Sequence, residues 1–301
     1  MKLKILLLIT ITFIISGCGG VGSRSGVAYF SFDNADFFGS IIREEFKINA
    51  EKNGLKVDYY DAKGEINVQI DQMKEAINKG VKTIVLLAVD GTLIMPTVEL
   101  AVNEGVTIIT VNRDIKECEH FEVTSIEYEA GILQAEYLSK TLPFNAKIVY
   151  LMGMGNQRSS VQRWEGFRNE ISDRRPDIEI LDMQDGSYIR TEAMKIMSLW
   201  LKLYPKIDAV VCGNDQMAFG AIAAMKAVNR LEGCQVVGVD AVEEAIEAIK
   251  NGEMVMTVKQ DAAAQAAGAV ELAVLSENDQ ELRNIIVPFQ VVTKDNLSEV
   301  K

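Results

Sequence analysis

Histidine is almost missing from this chain: His120 stands alone among 301 residues. It lies between Glu119 and Phe121 with no Cys or His partner at ligand spacing. A zinc site therefore has no basis, and His120 reads as a surface residue. Catalytic motifs are missing too. Neither a Gly-x-Ser-x-Gly elbow nor a Walker lysine is present, so no enzyme activity is expected. Positive charge is in deficit, with 31 Lys and Arg against 43 Asp and Glu. Nucleic-acid binding demands clustered Lys and Arg, so no nucleic-acid partner is expected. Cysteine is sparse as well. Beyond Cys18 only Cys118, Cys212 and Cys234 remain, and an odd number makes no disulfide framework. Cys212 ends one predicted strand and Cys234 begins the next parallel one, which puts them roughly 13 Å apart. A disulfide tolerates at most about 7 Å between Cα atoms. All three read as buried, unpaired thiols.

Long apolar runs are also scarce, and the one at the start is short. Lys2 and Lys4 lead into a mostly apolar stretch from Ile5 to Ile15. A membrane span needs about 20 apolar residues, so this stretch reads as the core of an export signal. Ile15-Ser16-Gly17-Cys18 resembles the bacterial lipobox, whose cysteine is lipidated and becomes the first residue after cleavage. Residues 1–17 are then removed with two lysines and no acid, taking the formal charge from −12 to −14. Gly19, Gly20, Gly22, Ser23 and Ser25 suit a flexible tether over 18–25. The expected location is the extracytoplasmic face of the cell membrane, periplasmic or cell-surface, held by the lipid on Cys18 alone.

From Val27 onward, short apolar runs alternate with helical patterns, the signature of βαβ units and parallel sheets. Strands are predicted at Val27–Ser31, Lys56–Tyr60, Thr83–Ala88, Thr107–Val111 and Phe121–Thr124. Helices fall between them at 36–53, 65–79 and 91–104. A second series places strands at Lys147–Met152, Ile178–Met183, Ala209–Cys212, Gln235–Val239 and Met256–Lys259. Its helices are expected near 127–141, 158–172, 190–203, 215–229 and 242–251. The two series look like variations on one plan. The fold class is α/β, with two doubly wound parallel-sheet lobes.

Open parallel sheets bind ligands beyond the carboxyl ends of their strands. The residues just past each strand therefore make a pocket list: Phe32, Asp33, Asp61, Asp90, Asn112, Arg113, Gly153, Tyr188, Asn214, Asp215, Asp240 and Gln260. Arg offers a planar fork of donors, carboxylates accept two hydroxyls, and amides do both. Vicinal hydroxyls match that chemistry, and Phe or Tyr faces suit the C–H face of a sugar ring. Asp90, Asp215 and Asp261 precede helical patterns and read as N-caps. Gly153-Met154-Gly155 after a strand invites a dinucleotide reading, but Arg158 stands where the third glycine belongs. Trp164 and Trp200 sit at helical spacing with Phe167 and Leu203 and read as core, with Trp164 placed near the cleft.

An ordered series of segments resembles the ribose- and galactose/glucose-binding group of bacterial periplasmic sugar-binding proteins. It runs from Asp33-Asn34-Ala35-Asp36-Phe37-Phe38 through Lys79-Gly80-Val81-Lys82, Val111-Asn112-Arg113 and Arg163-Trp164-Glu165-Gly166-Phe167. The most specific segment is Asp208 to Ala221, with Gly213-Asn214-Asp215-Gln216 at its centre. Val237-Gly238-Val239-Asp240, Thr257-Val258-Lys259-Gln260 and Val287-Pro288-Phe289 follow. The resemblance implies a type I periplasmic binding fold with three hinge crossings, near Ser125–Glu127, Lys259–Asp261 and Phe289–Val291. One lobe would take 26–125 plus 261–288, the other 126–260 plus 289–301. It implies a substrate-binding lipoprotein that captures a sugar or polyol and docks on an ABC-transporter permease as a monomer. By the same resemblance Phe37 or Phe38 and Tyr188 stack on the ring, and Asn112, Arg113, Asn214, Asp240 and Gln260 bind hydroxyls. Asp33 and Asp36 are further candidates.

Three departures bear on the substrate. Ala35 stands where those relatives place an Asn or Asp, Val161 where they place an Arg, and Asn112 where the ribose binders have aspartate. Arg158, one turn before Val161, is a candidate replacement. The calcium loop of the galactose binders is absent: Leu142 to Lys147 offers too few carboxylate oxygens. No metal and no cofactor is expected. The rival reading is a sensor lipoprotein of the same fold that signals to a histidine kinase or chemoreceptor. A cytoplasmic repressor core conflicts with the export signal.

Overall fold

The computed structural model describes residues 26–116 and 118–299. The expected signal segment, Cys18 and the whole of the expected tether lie outside them. Short runs such as Val27–Ser31 and Thr83–Leu86 are buried along their whole length. Strands covered on both faces need no polar alternation, and parallel sheets flanked by helices provide that cover. The chain runs β1 (Val27–Ser31), α1 (Phe37–Lys52), β2 (Val57–Asp61), α2 (Ile66–Asn78), β3 (Thr83–Leu86), α3 (Met95–Asn103), β4 (Thr107–Val111) and β5 (Phe121–Thr124). It continues with α4 (Glu127–Thr141), β6 (Lys147–Met152), α5 (Arg158–Arg174), β7 (Glu179–Asp185), α6 (Arg190–Leu203), β8 (Ala209–Cys212), α7 (Asp215–Ala227), β9 (Gln235–Val239), α8 (Glu243–Lys250) and β10 (Met256–Lys259). Last come α9 (Ala262–Glu277), β11 (Ile285–Ile286) and β12 (Gln290–Thr293).

Two sheets result, in the orders β11-β5-β4-β3-β1-β2 and β12-β10-β9-β8-β6-β7. All pairs are parallel except the edge pair β10–β12, which is antiparallel. Each sheet reverses its winding beside its first strand, between β1 and β3 and between β6 and β8, which is where such sheets open a ligand crevice. Alternate side chains serve opposite faces. Val27 and Tyr29 pack on α1 and α9, while Ala28 and Phe30 pack on α2 and α3. In the second lobe Val149 and Leu151 face α6, α7 and α8, and Ile148 and Tyr150 face α4 and α5. The chain changes sheets three times: between β5 and α4, between β10 and α9, and between β11 and β12.

Several elements differ from the sequence reading. Helix α9 has the N-cap expected of Asp261, whose Oδ1 accepts from Ala264 N at 3.0 Å, but the sequence pattern gives the helix no bounds because it is mostly small and apolar with only a weak one-sided stripe. The two-residue β11 is too short for any pattern. Strand β3 stops at Leu86, where the Gln69 side chain takes over from the sheet. Its Nε2 donates to the Leu87 carbonyl at 2.9 Å and its Oε1 accepts from Val89 N at 2.9 Å. His120 is not a surface residue. Its side chain is 9% exposed, with Nδ1 at 2.9 Å from the Cys118 carbonyl and Nε2 at 3.0 Å from Glu122 Oε1. Cys118 and Cys234 are only half-buried, while Cys212 is buried; all three thiols are free. Among the described residues no helix is long and apolar enough to cross a membrane.

Candidate functional site

The carboxyl ends of the two sheets enclose a cavity of about 290 Å³. The first lobe contributes the loop after β1 (Phe32, Ala35, Asp36, Phe37, Phe38) and the loop after β4 (Asn112, Arg113). Opposite them stand Tyr188, Asn214 and Asp240 of the second lobe, with Glu127, Arg163 and Gln260 at the passages between lobes. Two side recesses, of about 430 and 190 Å³, adjoin it past Asn112, Arg113 and Ser159.

Each polar group is held by bonds to its own element or to a neighbouring one. The Arg113 guanidinium lies 4.0 Å over the Phe32 ring, its Nε donating to the Ala88 carbonyl at 2.5 Å and its Nη2 to the Val89 carbonyl at 3.1 Å. Burial lowers its proton affinity, and the nearby Asp36 carboxylate opposes that. Asn112 donates from Nδ2 to Gln265 Oε1 at 3.3 Å. Asn214 caps α7: its Oδ1 accepts from Met217 N at 3.0 Å, which leaves the Nδ2 donor for the cavity. Asp36 caps α1 by accepting from Gly39 N at 2.7 Å. Burial nevertheless raises its pKa.

Asp240 caps nothing. The N-cap of α8 is Val242, whose amide donates instead to Asp215 Oδ2 at 3.1 Å. Asp215 was expected to be a cap, yet it is the first residue inside α7 and completely buried. Its Oδ1 also accepts from the Thr257 hydroxyl at 2.7 Å. It thereby props the loop that presents Asp240. Burial raises the pKa of both carboxyls, Asp215 to about 7 and Asp240 well above the usual range. Arg163 acts against the rise at Asp240, and the charges of Asp215, Glu127 and Asp36 add to it.

The structure thus gathers Phe37, Phe38, Asn112, Arg113, Tyr188, Asn214, Asp240, Gln260 and Asp36 around one cavity. Asp33 is not on its wall; its Oδ1 accepts from Ala35 N at 2.8 Å and shapes the turn before α1. Arg158 does not replace the missing guanidinium either. It is exposed and faces Asp114 across the cleft mouth at 3.5 Å, lining only the side recesses. The guanidinium that reaches the cavity from α5 is that of Arg163. Sequence reasoning missed Arg163, Glu127, Ser159 and Gln216. A signal for Arg163 was present: Ser160, Arg163, Phe167 and Ile171 form the buried stripe of α5, and a charge on such a stripe demands a partner. Trp164 packs edge-on against Tyr150 at 4.7 Å, away from the cavity wall.

Two α/β lobes joined by three chain passages, with polar strand ends facing a shared cleft, have a family counterpart. The periplasmic binding protein domain family matches residues 26–279. This chain belongs to that family.

Relatives of this periplasmic binding protein cover almost its whole length. A Rhizobium meliloti protein bearing the name rhizopine-binding protein is 32% identical over 284 residues, 91% of each chain. The ABC-transporter solute-binding protein of Bacillus halodurans, solved with bound myo-inositol, is 30% identical with a TM-score of 0.86, covering 93% of this chain and 98% of that one. The Caulobacter myo-inositol binding protein bound to myo-inositol superposes equally well, at 27% identity and a TM-score of 0.86 over 93% and 96% of the two chains.

The backbone of this periplasmic binding protein is strained where it meets the cleft. Asn112, Ser187, Tyr188 and Asp240 all have positive φ (62°, 55°, 62° and 118°), and all line the cavity. Non-glycine residues adopt such angles at a cost of about 1–3 kcal/mol, and the surrounding packing must enforce them. At Tyr188 the enforcement is visible. Its ring lies flat against Gly153, where a Cβ would come within 2.1 Å of the ring. Gly153 is thus a floor for Tyr188 and no part of a phosphate loop.

Proposed function

We propose that this protein is a membrane-anchored receptor for a single-ring sugar or cyclic polyol, which it hands to an ABC-transporter permease. The observation that carries the reading is the cavity itself. Its volume suits one ring, Phe37, Phe38 and Tyr188 supply apolar faces from both lobes, and carboxylate, amide and guanidinium groups from both lobes converge between them. Donors and acceptors in that mixture match a ring bearing hydroxyls all round. The relatives with bound myo-inositol support the same class. In this reading Asn112, Arg113, Asn214, Asp240 and Gln260 contact hydroxyls. The chain crosses between lobes near residues 125–127, 259–261 and 289–291, the solute closes the lobes, and no bond is made or broken. Cys18 carries the lipid, the protein is a monomer, and the permease recognises the closed form.

A thermal-shift panel of myo-inositol and its stereoisomers, D-ribose, D-galactose and xylitol tests it. A solute that binds only the folded state adds about 2.7 kcal/mol at a hundredfold excess over Kd. One or more ring polyols are expected to raise the melting temperature by several degrees. Flat responses to the entire panel at millimolar concentration would overturn the reading.

A further inference from the structure

One side chain touches all three passages between the lobes. Arg163 donates from Nε to Glu127 Oε2 at 2.6 Å, and Glu127 opens α4 directly after the first passage. Its Nη2 donates to Gln260 Oε1 at 3.2 Å, and Gln260 lies in the second passage, between β10 and α9. Its guanidinium carbon stands 6.0 Å from the ring centre of Phe289, the residue before β12 in the third. The remaining arm, Nη1, donates at 2.7 Å to the carbonyl of Gly213, next to Asn214 on the cavity wall. Gln260 completes a ring by donating from Nε2 to Glu127 Oε1 at 3.1 Å. Arg163, Glu127 and Gln260 are 4%, 6% and 4% exposed, yet all three reach the cavity.

Burying an ion pair seldom adds net stability, since desolvation offsets the attraction. Its distinctive contribution is directional. A guanidinium is a rigid planar fork, so partners bonded to its separate arms are fixed in angle to one another. Two glycines make the approach feasible. A Cβ on Gly131 of α4 would come within 2.0 Å of the Arg163 carbonyl, and one on Gly166 within 2.1 Å of the Tyr128 carbonyl. We propose that Arg163 is a positioning residue that couples the three interlobe passages to the cavity wall, so that the angle between the lobes and the geometry of the site change together. The inference holds whichever solute binds.

Arg163→Lys separates this role from charge neutralisation. Lysine keeps a cation beside Glu127, but a single Nζ cannot serve Glu127, Gln260 and the Gly213 carbonyl together. The double variant Arg163→Gln/Glu127→Gln, which removes the guanidinium together with the carboxylate it bonds, covers the case in which the lysine variant fails to fold. Ligand-free protein is measured by small-angle scattering and by amide exchange at Glu129, Ala262 and Val287, whose amides are hydrogen-bonded at the three passages. In the unaltered protein these amides are expected to open with one common protection. In the variants all three are expected to exchange at least tenfold faster, with a larger radius of gyration. A purely structural arginine would lower the melting temperature and leave scattering and relative passage exchange unchanged. Wild-type scattering and exchange in Arg163→Lys, or three unrelated protections in the unaltered protein, would overturn the proposal. Because no solute is added, failure of the sugar reading leaves these results untouched.

Discussion

Asp240 concentrates the chemistry of the cavity in one residue. Its backbone is strained at φ 118°, its carboxyl is crowded by Asp215, Glu127 and Asp36, and it caps no helix. Truncating a carboxyl that hydrogen-bonds ligand hydroxyls in such a site costs roughly 2–5 kcal/mol of binding, or about 30-fold to several thousand-fold in Kd. Asp240→Ala is expected to lose that much affinity by calorimetry, while the ligand-free melting temperature holds or rises. An affinity within about threefold of the parent, under ~0.7 kcal/mol, would remove Asp240 from the binding set. Asp215 behind it gives a pH signature. In the folded protein it keeps its proton up to about 7, whereas the unfolded chain loses it near the ordinary value of 3.8. Between those values the folded state binds the extra proton, so stability falls as pH rises through this window. Asp215→Asn should flatten the fall in urea-unfolding stability between about pH 4 and pH 7. An equally steep profile in the variant would locate the titration elsewhere.

At the scale of elements, close approach decides more than propensity. Gly153 and Gly155 look alike in sequence and differ completely in space. A methyl at Gly153 would strike the Tyr188 ring, whereas one at Gly155 meets only Asp185 Oδ2, at 3.4 Å. Gly153→Ala should therefore displace the ring, cost about 1–3 kcal/mol of stability, and weaken solute binding at least tenfold. Gly155→Ala should stay within about 0.5 kcal/mol of the parent. Comparable losses for both in denaturation and binding titrations would restore the loop as a functional unit. The same logic explains why the extent of α9 is hard to read in the sequence. Most of the other helices present a buried stripe and a broad exposed face, but α9, mostly small and apolar, is wedged among α1, β3, β4 and β5. A helix covered on most sides carries no period to read.

For the whole molecule, the duplicated sheet order puts two switch points face to face across three passages. Closure about such a hinge is a rigid-body motion. Saturation with the best solute of the panel should shrink the radius of gyration by small-angle scattering, and identical curves with and without it would argue against a closing receptor. Anchoring belongs to this scale as well. Ile15-Ser16-Gly17-Cys18 predicts that Cys18→Ala abolishes fatty-acid labelling and releases the protein from membranes. Continued labelling and membrane retention in the variant would exclude the lipid anchor.

The sequence by itself determined the two α/β lobes, the strand positions and most of the cavity wall. The reason is that a parallel sheet converts a one-dimensional rule into a three-dimensional address: whatever follows a strand's carboxyl end lies at the crevice. Asn112, Arg113, Asn214, Asp240 and Gln260 were legible on that rule alone. Phe37 and Phe38, a few residues beyond β1, came from the family resemblance instead. Tertiary structure decided the rest. Asp33 and Asp36 both lie in the loop between β1 and α1, yet only Asp36 turns to the cavity, and the loop path that selects it is not periodic. Arg163 meets partners 36, 50 and 97 positions away in sequence. Helical spacing could place it on the buried side of α5. Only the folding of both lobes around their shared passages could supply the carboxylate, the amide and the carbonyl that make a buried guanidinium tolerable there.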